Sequence, residues 1–154
     1  MTEFADDAFK SVKAFARYML RDGRLTLRPV LDGIWAPTSH PSQPGRFGLA
    51  CILFRSGCWQ VEMLVGLPNC QAPAHRHNRV DSVDVILCGG VTGGVNHRAF
   101  ADNRGSLLAN LVRVPAGEWH GGAAKDSGVV YLSFQKWQGE PTFIGLDWES
   151  HDGD

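Results

Sequence analysis

None of the four cysteines, Cys51, Cys58, Cys70 and Cys88, falls in a C-x-x-C pair. That excludes a zinc knuckle and a dithiol redox motif. No apolar run approaches the roughly 20 residues of a membrane span, so no membrane partner is expected. There is no excess of either charge: 15 Lys and Arg stand against 16 Asp and Glu, a formal net charge of −1. No basic field exists to hold nucleic acid. The opening residues, MTEFADDAFK, are acidic and show no basic-then-apolar secretory layout. Reduced thiols in a cytoplasm are therefore the expectation. GGVTGG at 89–94 is followed by no Lys-Ser/Thr, so it reads as a turn and not a phosphate loop. Ser39 and Ser133 sit in no nucleophile-elbow context.

What is present suits one soluble globular domain. The chain has 154 residues, 44% hydrophobic and 20% charged, long enough to bury a core without staples. Residues 3–21 carry Phe4, Ala8, Val12, Phe15 and Met19 at three- and four-residue spacing, the stripe of an amphipathic helix. Asp6 and Asp7 near its start and Arg17 and Arg21 near its end suit the helix dipole. Gly23 is a plausible stop. The Pro-rich GIWAPTSHPSQPGRFG reads as a loop. Beyond it come LACILF, WQVEMLVGL, DSVDVIL, LLANLVRV and VVYLSFQKW, separated by Gly-rich turn clusters. Short segments rich in Val, Leu, Ile and aromatics at this spacing predict an all-β sandwich or barrel. The organisation read from this is a helix over 1–23, a β-barrel over 24–149 and a frayed tail over 150–154.

Two stretches carry the chemistry. PAHRHNRVDSVDVILCGG (73–90) sets His75 and His77 one residue apart, just before a strand-like run that stops at Gly-Gly. About forty residues on, VPAGEWHGG (114–122) holds Pro115, Gly117 and His120 in P-x-G-x-x-H spacing. Side chains two apart on a strand share a face, so His75 and His77 can aim together into a barrel. The turn at Pro115–Gly117 lets His120 enter from the opposite strand.

This pairing resembles the cupin superfamily, whose motifs read G-x5-H-x-H-x3,4-E-x6-G and G-x5-P-x-G-x2-H-x3-N. The likeness covers roughly residues 60–135. It departs in that eight residues separate Gly66 from His75, no Glu stands at the acidic position, Ala109 replaces the second motif's first Gly, and Ala124 replaces its Asn. The resemblance implies a single cupin-type jelly-roll β-barrel with the N-terminal helix packed outside. It also implies a divalent transition metal (Fe, Zn, Ni or Mn) on His75, His77 and His120. Three imidazoles suit such ions and leave positions open for water or substrate.

Asp81 and Asp84 compete for the family's acidic place. Counting back from Gly89 puts Ser82 there, with Asp84 of the same inward parity and a three-histidine site. Binary patterning argues differently. Val83, Val85 and Leu87 alternate with Ser82 and Asp84, and turning the apolar set inward brings Asp81 to the metal. The second arrangement is favoured: metal on His75, His77, Asp81 and His120, with Asp84 orienting a histidine or serving as a base. His97, after a Gly-Gly, is a candidate for lining the pocket and taking part in catalysis. His40 and His151 read as solvent-exposed, and Trp59, Trp137 and Trp148 as core or interface aromatics. Arg76 and Trp119 should face away from the metal.

The resemblance implies a mononuclear metal-dependent enzyme acting on a small organic molecule, as a dioxygenase-type oxidoreductase or an isomerase or lyase. A non-catalytic cupin that binds or senses a small ligand is the alternative. A homodimer is expected from the apolar surface of the helix stripe and the outward aromatics.

Overall fold

The computed structural model describes residues 12–21, 35–38, 48–95, 98–99 and 112–151. In chain order the elements are α1 (Val12–Arg21), β1 (Trp35–Thr38), β2 (Gly48–Ser56), β3 (Trp59–Gly66), β4 (Gln71–Arg76), β5 (Val80–Val95), β6 (Arg98–Ala99), β7 (Val112–Val114), β8 (His120–Trp137) and β9 (Glu149–Ser150). A 3-10 turn, Ile144–Leu146, precedes β9. The strand path runs β1-β2-β3-β8-β4-β9, and β5 pairs with β6, β7 and β8. Every pairing is antiparallel. β8 is thus shared by β3, β4 and β5. None of the described helices is long and apolar enough to cross a membrane.

The all-β expectation holds, but two boundaries move. WAPT, read as loop, pairs with β2 through Trp35↔Cys51, Ala36↔Ala50, Pro37↔Leu49 and Thr38↔Gly48. β1 ends the strand path, where a proline's missing N–H costs no ladder bond that the sheet needs. GGVTGG, read as a turn, lies inside β5, whose pairing with β8 continues from Val80↔Trp137 to Val95↔His120 with register shifts at 86/88 and 89/91. Bulges of this kind bend a strand without ending it. Gly89 (φ +77) and Gly93 (φ +125) make the bend possible. A Cβ on Gly89 would stand 2.1 Å from the Gly128 carbonyl oxygen, and one on Gly93 2.2 Å from that of Gly121. Two long strands therefore curl around each other where the sequence reads as several short ones.

The wall of the barrel is buried on both sides. Val12, Phe15, Ala16 and Met19 of α1 pack against Cys51, Leu53, Val61, Val83, Val85, Leu132 and Phe134. Phe15 sits 4.8 Å from the Trp59 ring and 6.1 Å, edge-on, from Phe134. The described part of the stripe is thus buried against the barrel. Phe4 and Ala8, the first members of that stripe, lie outside the described residues, as do His40 and His97.

The opposite face of the wall points inward. Ala50, Leu64, Val80, Trp137 and Ile144 form a second cluster with Tyr131 and Phe143 alongside. Between them lies a buried polar network. Glu62 accepts from Gln135 Nε2 (2.7 Å) and from the backbone N–H of Ile144 (3.1 Å). Gln60 Nε2 donates to Gln135 Oε1 (2.9 Å) and to the Thr142 carbonyl (2.7 Å). Arg55 Nε donates to Gln60 Oε1 (2.7 Å) and Trp137 Nε1 to Gln135 Oε1 (2.9 Å). Burial pushes the Glu62 carboxyl up to about 7, against the opposing pull of these donors.

Two predictions follow from this packing. Phe15→Ala should cost about 3–5 kcal/mol of stability, because it empties a closely packed site at the helix–barrel contact. A loss under about 1 kcal/mol in denaturant unfolding would show that α1 does not hold the wall. The second concerns Glu62. Between pH 4.5 and 7 the folded state keeps a proton that the unfolded chain has released, so stability falls as pH rises through that window and is level above it. Glu62→Gln removes this dependence. The stability difference between variant and wild type should shift in favour of the variant from pH 5 to pH 8, and a difference independent of pH would count against the assignment.

Candidate metal centre

The two histidine motifs meet through the backbone. The turn after β7 closes with Glu118 N–H donating to the Pro115 carbonyl (3.1 Å), and Gly117 N–H donates to the His77 carbonyl (2.8 Å). Gly117 takes φ +78, a conformation open to glycine at no steric cost. This contact gives the P-x-G-x-x-H spacing its physical reason: the turn is bonded to the residue it must face. On the next strand pair, His75 and His120 are register partners between β4 and β8.

The imidazoles of His75, His77 and His120 converge, with one ligand atom from each lying within 4.8 Å of the others. His75 and His77 are buried, and His120 is partly exposed. Each ring has its Nδ1 on a main-chain carbonyl: His75 on Pro73 (2.7 Å), His120 on Glu118 (3.0 Å), and His77 on Asp147. A carbonyl only accepts, so each Nδ1 carries a proton, and in the neutral ring the lone pair is then on Nε2. Burial, helped by the neighbouring His120, pushes His77 down to about 4, and burial lowers His120 as well. Three converging imidazoles, each oriented through Nδ1, are the donor set that zinc, iron, nickel or manganese accepts. The residues fit such an ion.

A segment that sequence reasoning left as core or tail holds this set in place. Trp148 stacks flat on His75, with 3.4 Å between centroids and 7° between planes. Asp147 supplies the carbonyl for His77 and takes Arg79 on its carboxylate, with Arg79 N–H at 2.8 Å. The segment is fixed by Glu62 at Ile144 and by Gln60 at Thr142. Ser150 pairs with His75, and His151 N–H donates to the Ala74 carbonyl (3.1 Å). The chain is therefore tied down as far as His151, past the point where fraying is expected.

Asp81 is not brought to the triad. Its Oδ1 takes Arg113 (3.1 Å) and the Ala116 N–H (3.3 Å), bracing the Pro115 turn from outside. The patterning argument fails for a definite reason. α1 covers the outer face of the wall, so Val83 and Val85 turn outward to it and Ser82 and Asp84 turn inward. Arg76 faces away as expected, pairing with Glu149 (2.5 Å) and lying over the Trp119 ring. His151 is exposed as expected and its ring lies 4.8 Å from Trp119.

The triad opens onto a cavity of about 160 Å³. Its walls include Leu64, Val65, Ile86, Val91 and Val129, with Asp84, Ser82, Ser133 and Tyr131 as polar members and Trp148 beside the histidines. Burial pushes the Asp84 carboxyl up to about 6, offset in part by the Ser133 and Ser82 hydroxyls. Burial, reinforced by Asp84 and Glu62, keeps the Tyr131 phenol protonated. Burial also raises the Cys70 thiol in the same wall, which disfavours its thiolate. Tyr131, Trp148 and the supporting Glu62 carry no motif. Alternation along β3 and β8, once their cavity face is known, would have found Glu62 and Tyr131, whereas Trp148 lies outside the strands and carries no such signal.

No protein-family model and no curated protein sequence matches the chain. Solved structures do match it. KdgF from Halomonas sp. superposes with a TM-score of 0.56 at 11% identity, over 70% of this chain and 89% of that one. A cupin-2 domain protein from Rhodospirillum rubrum gives 0.55 at 21% identity, over 73% and 77%. A DMSP lyase gives 0.57 at 14% identity, over 75% of this chain and 60% of the lyase. Strand order, the pairing of the two histidine motifs and these neighbours agree: the chain has a cupin-type β-barrel fold.

Proposed function

We propose that this protein is a mononuclear metal-dependent enzyme that acts on a small organic molecule by proton-transfer chemistry of the lyase or isomerase kind. The observation that carries the reading is the arrangement of the three histidines. Each Nδ1 is committed to a main-chain carbonyl, and the three imidazoles converge at a cavity that also holds a carboxyl group. A divalent ion held there would act as a Lewis acid toward a substrate oxygen. His75, His77 and His120 would hold it. Asp84 is the side chain placed to move a proton, because it is a cavity carboxyl raised by burial toward neutral pH. Tyr131 keeps its proton and serves as a hydrogen-bond donor in the same wall. The apolar walls exclude water from the reacting atoms. That one structural neighbour is a DMSP lyase supports lyase chemistry.

The dioxygenase reading rests on the histidine set itself, since three protein ligands leave positions open for a second small molecule. It gives Asp84 no task. Elemental analysis of protein purified without added metal separates the readings. Zinc, nickel or manganese near one per chain supports proton-transfer chemistry, redox-active iron turns the reading to oxygenation, and no metal leaves a binding module.

Two further outcomes are expected. His77→Ala and His120→Ala should each remove most of the bound metal while the barrel stays folded, and Asp81→Asn should leave metal content unchanged. Full retention in both histidine variants, measured by mass spectrometry of the ion, would overturn the assignment. Asp84→Asn should keep the metal and lower turnover by roughly 10²–10⁴-fold, the usual contribution of a positioned acid or base. Wild-type turnover in that variant would remove Asp84 from the chemistry.

A further inference from the structure

The Ser133 hydroxyl is near enough to the Asp84 carboxyl to pull it down, yet neither Asp84 Oδ1 nor Ser133 Oγ completes a well-formed hydrogen bond, and both atoms are buried. They are neighbours by construction, because Asp84 on β5 and Ser133 on β8 are register partners. Both residues line the cavity, and Ser133 is 1% exposed. A buried polar atom left unpaired is costly, and a pair of them side by side is a recess that a ligand can satisfy.

The chemistry of that ligand is bounded by the rest of the wall. No Lys or Arg lines the cavity among the described residues, so no side chain there offsets an anion. A divalent ion, three neutral imidazoles and an ionised Asp84 sum to one positive charge, which a single anionic group cancels. The group facing Asp84 must be a donor. An ammonium would share a small cavity with a dication, which electrostatics disfavours. A hydroxyl meets both orphans at once, donating to Asp84 and accepting from Ser133. Size sets the last bound. An apolar cavity of about 150 Å³ holds a molecule the size of benzene, so this one admits a short chain.

We infer that the cavity takes a short hydroxy-monocarboxylate, with its carboxylate toward the histidine triad, its hydroxyl between Asp84 and Ser133, and its carbon chain against the apolar wall. The inference rests on the metal reading above for the carboxylate end. The hydroxyl end rests on the orphaned pair alone.

The test is calorimetric binding of matched probes to zinc-loaded protein. One series is 3-hydroxybutyrate, 3-methylbutyrate and 3-aminobutyrate. The other is 4-hydroxybutyrate, pentanoate and 4-aminobutyrate. Within each series only the group aimed at the pair changes. In at least one series the hydroxy probe should bind at least tenfold more tightly than the methyl and amino probes, since a site built to hydrogen-bond a hydroxyl rejects its apolar analogue strongly. Asp84→Leu should bring hydroxy and methyl probes within about twofold of each other, with the methyl probe's affinity and the zinc content kept. A methyl probe that binds as well as the hydroxy probe, an amino probe that binds best, or no binding in either series overturns the inference. The same titrations on metal-free protein keep the two readings apart. Equal affinity with and without zinc overturns the metal's role toward the carboxylate, while the hydroxy-to-methyl ratio still reports on Asp84 and Ser133.

Discussion

The contact between α1 and the outer face of the barrel wall decides what faces inward. A sheet with one wet face turns its apolar residues to the core and its polar residues to water. Here the helix takes the place of water. Val61, Val83, Val85, Leu132 and Phe134 pack beneath it, and the alternate positions face inward. Those positions are Gln60, Glu62, Ser82, Asp84, Ser133 and Gln135, a polar lining that would be costly anywhere but beside a functional cavity. The inner polar set exists because the hydrophobic requirement of the strands is met on the outside.

The same contact explains what could and could not be read from the chain. The helix stripe at Val12, Phe15 and Met19 and the short apolar segments were legible, since periodicity reports burial directly. So were His75, His77 and His120, whose spacing is set by a strand pair and a turn bonded to it. The facing of Asp81 and Asp84 was not. Alternation says which residues share a face, and it cannot say which face is the core when both are buried. The Gly89 register, which counts residues from a backbone landmark, gave the right parity where hydrophobicity gave the wrong one. The long strands were missed for a related reason. Glycine clusters mark a break in a short strand and a bend in a long one, and only the partner strand distinguishes them.

The segment from Thr142 to His151 shows a third limit. Nothing in PTFIGLDWESH announces a supporting role. Its importance is topological: the chain returns to β4 and lays Asp147 and Trp148 beside histidines some seventy residues earlier. Glu62 holds it there from inside the barrel, so a buried acid far from the triad in sequence belongs to the same structure. The polar interior is then one connected system, running from Arg55 at the surface through Gln60 to Glu62 and out to the triad's supports.

The carbonyls that orient the three imidazoles belong to Pro73, Glu118 and Asp147, and all three are main-chain atoms. No amino-acid replacement deletes a carbonyl. The tautomers are therefore set by the path of the backbone, and a change of side chain at residue 118 leaves the carbonyl that orients His120 in place.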